Sequence, residues 1–523
     1  MDTKKFYGKS ARQTAVIARQ IPVESDDSEL ESDNGDEDYV QPTGPRDSPA
    51  DSESDTNNND ETQLTEDIDD NVPSTSWAGN SKHSAGKEKK STNRTLWIPG
   101  NIDNTSSSDE FTGDSDLSGD LLNLKTPLQF YHKLFPELIE EHIVEHTNLF
   151  SVQSRPQKPL NMDRSELQQF IGISIWMSLV KLPDTRKYWN PTYKVERVSE
   201  VMSCNRWEEI KRFIHFENNM SSDEVKKNKL WKIRPVLTNL REVLLTIPKE
   251  KNLCVDEQIV PFKGRSSLKK YNPRKPHRWG YKLHVLSGVS GFSYDFEVCS
   301  GNENVVADDE VDCGASSNIV LRLSRTIESG VHHHLYFDNY FTSMSLMSAL
   351  ERRAIHGVGT VRLNRLPGLP GLSEKEMKKK GRGTMSEYVT NVAGVEMSCV
   401  RWYDNKIVSM LSTFAGVEPV DKVKRWSTRD KKYIEIDRPH VIKVYNEHMG
   451  GVDLLDSLLG LYRIRIRSKK WYHRMFFHIL DLSIVNAWLL YRRVLRQNLS
   501  TEVVLPLSDF KAQVAEGIIC FNL

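Results

Sequence analysis

At 523 residues the chain exceeds what a single hydrophobic core ordinarily serves, so two or more folded units are predicted. Its formal charge of −1 conceals an imbalance: residues 1–125 hold 12 Lys and Arg against 27 Asp and Glu, a net −15, and the remaining 398 residues carry +14. Six scattered cysteines without a close pair argue against a disulfide framework or a zinc finger, and no run approaches the ~18 apolar residues of a membrane span. The start MDTKKFYGKSARQ has no apolar leader, so a soluble protein of a reducing compartment is expected. A basic body behind an acidic arm suits a polyanionic partner, because cationic groups release the counterions condensed on nucleic acid.

In chain order, residues 1–125 are expected to form a disordered acidic tail: tracts such as ESDNGDEDYV and DSESDTNNNDETQ hold too little apolar surface to offset chain entropy. A tethered arm of this charge would compete with DNA for the basic body. Order is expected from Thr126, where TPLQFYHKLF pairs a Thr-Pro start with helical apolar spacing. A helical region for dimerisation and DNA binding is read over 126–248, with Trp176, Trp207 and Phe213 as core. After Pro248 the pattern turns to short strands (NLCVDEQIVPF, WGYKLHVLSGVSGFSYDFEV, HHHLYFDNYF) and later to helices (GGVDLLDSLLGLYRI, RMFFHILDLSIVNAW). The predicted class is α/β, with a catalytic unit in two parts, 249–356 and 440–500, an inserted β-rich stretch at 357–439 and a C-terminal tail at 501–523.

Asp256 follows the apolar run Leu253-Cys254-Val255, and Asp338 follows Leu335-Tyr336-Phe337. A carboxylate on a buried strand is costly unless it is paired, hydrogen-bonded or metal-bound. Asp453 and Asp456, three apart at the start of a helix, share a face. Acids from three elements suit two Mg²⁺ or Mn²⁺ ions, which prefer oxygen ligands and serve phosphoryl chemistry. Taken singly, Asp453 also fits a helix cap and Asp338 a turn former. Two basic, aromatic stretches flank these acids. One carries Arg265, Lys269, Lys270, Arg274, Lys275, Arg278 and Lys282; the other carries Arg465, Arg467, Lys469, Lys470 and Trp471. Cations interleaved with rings suit phosphate and base contacts.

The strings DEQIVPFKGRSSLKKYNPRKPHRWGYKL, FDNYFTS and YNEHMGGVDLLD, the last followed by RSKKWYHRMFFHILDLSIVNAW, resemble the three catalytic segments of piggyBac-like DDE transposases. GTVRLNR, with Arg362, Asn364 and Arg365 as further DNA contacts, and CVRWYDNKIVSMLSTF resemble segments of the region that interrupts the family's catalytic fold. The resemblance runs from about Thr126 to Arg496. It implies an RNase H-like catalytic domain with Asp256, Asp338 and Asp453 as metal ligands and Asp456 as an additional catalytic acid. It further implies a nuclear homodimer that cuts double-stranded DNA at element ends and inserts at TTAA. The family's Cys/His-rich zinc-binding C-terminal domain has no counterpart before the closing ICFNL, where Cys520 stands alone, so no zinc is expected. The alternative reading is a domesticated DNA-binding or chromatin protein without excision activity.

Overall fold

The computed structural model describes residues 95–102, 110–273, 275, 277–301, 306–307 and 310–520. The expected tail up to residue 94 lies outside the described residues.

Chain order begins with a two-residue strand, β1 (Ile98–Pro99). Five helices of eight residues or more follow: α1 (Pro127–Leu134), α2 (Glu137–Ser154), α3 (Arg164–Leu179), α4 (Cys204–Phe213) and α5 (Arg234–Leu245). The start of α1 is a capping box. Thr126 Oγ1 accepts from the Gln129 N–H, Gln129 Oε1 accepts from the Thr126 N–H, and Pro127 fills the first turn, where no donor is needed. Asp163 caps α3 by accepting the Glu166 N–H at 2.8 Å. Leu167, Phe170, Ile171, Ile173 and Ile175 make α3 apolar nearly all round, and it is accordingly buried. Trp207 and Phe213 lie in the core, and Trp176 packs against it half-buried.

Strands then dominate: β2 (Asn252–Pro261), β3 (Lys270–Tyr271), β4 (Trp279–Gly288), β5 (Ser293–Val298), β6 (His333–Phe337) and β7 (Ile355–Thr360). Helices α6 (Ala315–Ser324) and α7 (Met344–Glu351) precede β6 and β7 respectively. They are followed by β8 (Met385–Val392), β9 (Val395–Tyr403), β10 (Ile407–Ser412), β11 (Asp421–Ser427) and β12 (Lys432–Arg438). Among the described residues, ten strands form one mixed sheet in the order β1-β8-β9-β10-β7-β6-β2-β4-β3, with β5 also on β4. The β2/β6 and β6/β7 pairs are parallel; the others are antiparallel. Central β2 buries Leu253, Cys254 and Val255 together, as expected of a strand covered on both faces. The stretch read as an insertion is strand-rich, yet β8, β9 and β10 continue the same sheet through β7, while β11 and β12 form a separate hairpin.

The chain closes with α8 (His440–His448), α9 (Gly451–Leu461), the 27-residue α10 (Trp471–Gln497) and α11 (Leu507–Cys520). Helix α10, about 40 Å long, buries residues on all sides along most of its length. Asn486 on it donates to Ser293 O and accepts from Ser293 N, both at 3.0 Å, tying α10 to β5 through both ends of its amide.

Two sequence expectations need correction. The acidic tail does not extend through residue 125: Trp97 is 5% exposed, Ile98 and Pro99 pair with β8, and Leu117 and Leu121 join the core. Isolated apolar side chains, Trp97, Leu117 and Leu121, anchor stretches whose average composition is polar. Nor is 501–523 simply a tail, because Leu507, Phe510, Val514 and Ile518 bury one face of α11, which lies against α3.

Candidate active site

The parallel pairing of β2 and β6 ends with Val255 opposite Phe337; the next residues are Asp256, in the middle of β2, and Asp338, just past the end of β6. Both are half-buried. Asp256 Oδ1 accepts the Glu257 N–H at 2.7 Å. Asp338 uses one carboxylate oxygen to accept the Tyr340 N–H at 2.7 Å, and its carbonyl accepts from Thr342 Oγ1 at 2.8 Å. It therefore forms the turn after β6 while its second carboxylate oxygen stays available to other partners.

Helix α9 brings the remaining acids, and its first glycine explains how. A Cβ on Gly451 would lie 2.3 Å from Gly288 O, 2.6 Å from Ser287 Oγ and 2.9 Å from Cys254 Sγ, so only glycine lets the helix start this close to β2 and β4. Further along, Asp456 Oδ1 accepts from Gln258 Nε2 at 2.7 Å. Cys254, Asp256 and Gln258 alternate along β2 and share a face. The helix is thus fixed to that face on either side of Asp256, with exposed Asp453 between the two anchors.

Electrostatics reflect this convergence. Burial pushes the Asp256 carboxyl up to about 7; Glu257 and Asp453 add to the rise and Lys275 opposes it. Burial also raises Asp456 to about 6, against the Gln258 hydrogen bond and Lys275. Asp338 is raised, first by burial and then by Glu257, while Lys282 and Arg362 pull it down. Lys275, which burial would weaken, is nevertheless held above its ordinary range by Asp256, Asp453, Glu257 and Asp456; its Nζ donates to Glu257 O at 3.1 Å. Tyr445 on α8 feels both Asp338 and Asp256, although burial is the main cause of its raised phenol.

Among the described residues, no group of three or more His, Cys, Asp or Glu side chains is close enough to hold a metal ion. The donor set is nonetheless all carboxylate oxygen, the kind that Mg²⁺ and Mn²⁺ take, and a divalent cation would offset the burial of Asp256 and Asp456. Gln258 escaped the sequence reading, although its place two residues after Asp256 puts it on the same face. Lys275, expected as a DNA contact, has the acids as neighbours in the structure.

The other residues expected to contact DNA divide by environment. Arg265, Lys270, Arg278, Arg465, Arg467, Lys469 and Asn364 are exposed, and Arg274 lies outside the described residues. Lys269 lies over the Trp279 ring at 5.0 Å and donates to Gly264 O. Lys282 covers the Tyr340 ring at 4.8 Å, beside Asp338. Arg365 Nη1 donates to the carbonyls of Asn339, Tyr340 and Thr342, and Arg362 Nε to Asn339 Oδ1, so both brace the turn that Asp338 opens. Lys470 donates to Arg212 O at 2.6 Å, and half-buried Trp471 meets Tyr281 edge-on at 6.2 Å. Those two residues join α10 to its surroundings.

The acids thus come from the middle of β2, the turn just after the adjacent β6 and a facing helix, on a large mixed α/β sheet. A family model described as Transposase IS4 matches residues 126–488. The chain belongs to this DDE transposase family, in its piggyBac type. It is 32% identical over 374 residues to human PiggyBac transposable element-derived protein 3, covering 71% of this chain and 62% of that protein. Human PiggyBac transposable element-derived protein 2 is 28% identical over 370 residues, covering 70% of this chain and 62% of that protein. The chain thus spans less than two thirds of the length of these relatives. A piggyBac transposase, solved by cryo-EM as a synaptic complex with hairpin DNA, shares the fold at a TM-score of 0.64 and 20% identity, covering 77% of this chain and 82% of that one. No described helix is long and apolar enough to cross a membrane.

Proposed function

We propose that this protein cleaves and transfers double-stranded DNA as a metal-dependent transposase, with Asp256, Asp338 and Asp453 as ligands for two Mg²⁺ or Mn²⁺ ions. The observation that carries the reading is the fixing of α9 to β2 on both sides of Asp256, with Asp338 at the end of the neighbouring strand. Bound divalent ions would supply activation of the attacking oxygen and stabilisation of the leaving one. Gln258 orients Asp456, Arg362 and Arg365 hold the Asp338 turn, and the exposed cations neutralise phosphates. In this reading the catalytic unit is RNase H-like, acts as a nuclear homodimer and inserts at TTAA. Purified protein with Mg²⁺ or Mn²⁺ should nick and join DNA bearing the ends of its own element; failure to do either removes the proposal.

A second reading, that of a domesticated DNA-binding or chromatin protein without excision activity, is favoured by the relatives, which are named as transposable element-derived human proteins. DNA binding that survives replacement of all four acids, with no cleavage by the unaltered protein, would select it.

Asp456→Asn distinguishes a supporting acid from a ligand. Because Asp456 is hydrogen-bonded to Gln258, its loss should reduce cleavage about 10 to 100-fold, as for groups that orient a ligand. Single-turnover cleavage falling to the background of Asp453→Asn would make it a ligand instead.

A further inference from the structure

The hairpin β11–β12 stands apart from the main sheet and ends in an aromatic pair exposed to solvent. Trp426 and Tyr433 face each other across the strands, 51% and 71% exposed, with ring centroids 5.2 Å apart. A single exposed ring needs no explanation. Here the pair adjoins a turn carrying exposed Arg429, Lys431 and Lys432, while the one acid of that turn, Asp430, accepts from Ser427 Oγ at 2.8 Å. Toward the base the charges cancel instead: on the same face Lys424 is opposite Glu435 and Lys422 opposite Asp437, and Arg438 pairs with Asp421. Positive charge is therefore concentrated at the tip.

An isolated two-stranded hairpin is marginal in water, and this one is held along its length. Trp402 Nε1 donates to Asp437 O at 2.8 Å, Arg382 Nη1 donates to Trp426 O at 3.2 Å, and Asp404 accepts from both Arg382 and Arg425. The same device occurs at β3/β4, where Tyr271 faces Trp279 at 4.7 Å, both 50% exposed, amid the cations of the first basic stretch.

We propose that the tip of the β11–β12 hairpin is a second DNA contact, in which Trp426 and Tyr433 pack on bases or sugars and Arg429, Lys431 and Lys432 neutralise phosphates. It rests on the reading of the chain as a DNA-acting protein, but not on cleavage. The test is anisotropy titration of a fluorescent random-sequence duplex across a salt series. The triple variant Arg429→Gln, Lys431→Gln, Lys432→Gln should reduce the slope of log affinity against log salt by up to about 2.7. Trp426→Ala with Tyr433→Ala should weaken binding about tenfold with the slope kept, as expected for lost apolar contact of the rings with sugars and base edges. Trp426→Phe with Tyr433→Phe should restore most of it, which separates ring contact from hairpin collapse. Wild-type affinity and slope in both the charge and alanine variants would overturn the inference and leave the tip to a protein partner. An inactive protein whose hairpin variants bind weakly would remove the proposed cleavage and keep this contact; active protein with unaffected hairpin variants would do the reverse.

Discussion

Asp256→Asn should bring DNA cleavage to background while leaving most DNA binding intact, and should raise thermal stability at pH 8 in buffer containing EDTA. Both effects have one origin. The amide keeps the shape of the carboxylate and removes the charge a divalent ion would hold. Without the ion, that charge is a burden on the fold. With its carboxyl pushed up to about 7 from the usual value near 4, Asp256 favours folding fully at pH below 4. That contribution fades as pH rises through 7, where the folded chain must carry a buried anion. The stability gain of the asparagine variant should thus be absent at pH 4, grow between pH 4 and 7, and level off above. Added Mg²⁺ should raise the melting temperature of the unaltered protein more than that of the variant. Differential scanning fluorimetry across pH checks the sign, and a gain confined to acid pH would contradict it. Asp338→Asn should share the loss of cleavage; equal loss of DNA binding would mean the acid supports the fold.

A substitution that alters no charge should be almost as damaging. Gly451→Val places a branched side chain where Gly288 O, Ser287 Oγ and Cys254 Sγ already lie within 3 Å of the Cβ position. Two of those atoms belong to β4, and the carbonyl cannot move without disturbing the sheet. Helix α9 must then withdraw, taking Asp453 away from Asp256 and lengthening the Gln258–Asp456 hydrogen bond. Overpacking of this kind costs about 1–3 kcal/mol, and a displacement of about 1 Å at a reacting centre can cost about a hundredfold in rate. Gly451→Ala should lie between the two. Urea unfolding together with single-turnover cleavage reads both effects, and a valine variant with unchanged midpoint and rate would show that the helix is not held by this approach.

These expectations also mark how far the sequence carried. The start of α1 was legible because Thr126, Pro127 and Gln129 form a local capping signal, and the shared helix face of Asp453 and Asp456 follows from their spacing alone. That Asp256 and Asp338 sit on or just beyond strands is legible from the apolar runs before them, although β2 continues past Asp256 to Pro261 while β6 stops at Phe337. Pairing is another matter. That β8 to β10 continue the sheet of β2 and β6 depends on contacts between residues far apart in sequence, such as Met410 opposite Thr360, which no local pattern encodes. Lys275 could not be assigned to the acids from its neighbours, because a run of cations looks the same whether it faces solvent or folds back over a carboxylate. Trp97 was missed because a two-residue strand has no period to detect.

That brief strand has a consequence for handling the protein. By pairing with Val389 and Tyr388, Ile98 and Pro99 occupy the outer rim of the sheet, and Thr390 Oγ1 and the Glu387 carboxylate secure the chain to either side through Leu96 O and Ile102 N. A proline there offers no amide to extend the ladder. A protein shortened to begin at Thr126 would retain every long helix and all the acids, yet expose the free rim of β8 and the surface that Trp97 covers. Such a rim is a template for pairing with another chain, so the shortened protein should self-associate at concentrations where the longer one stays dispersed.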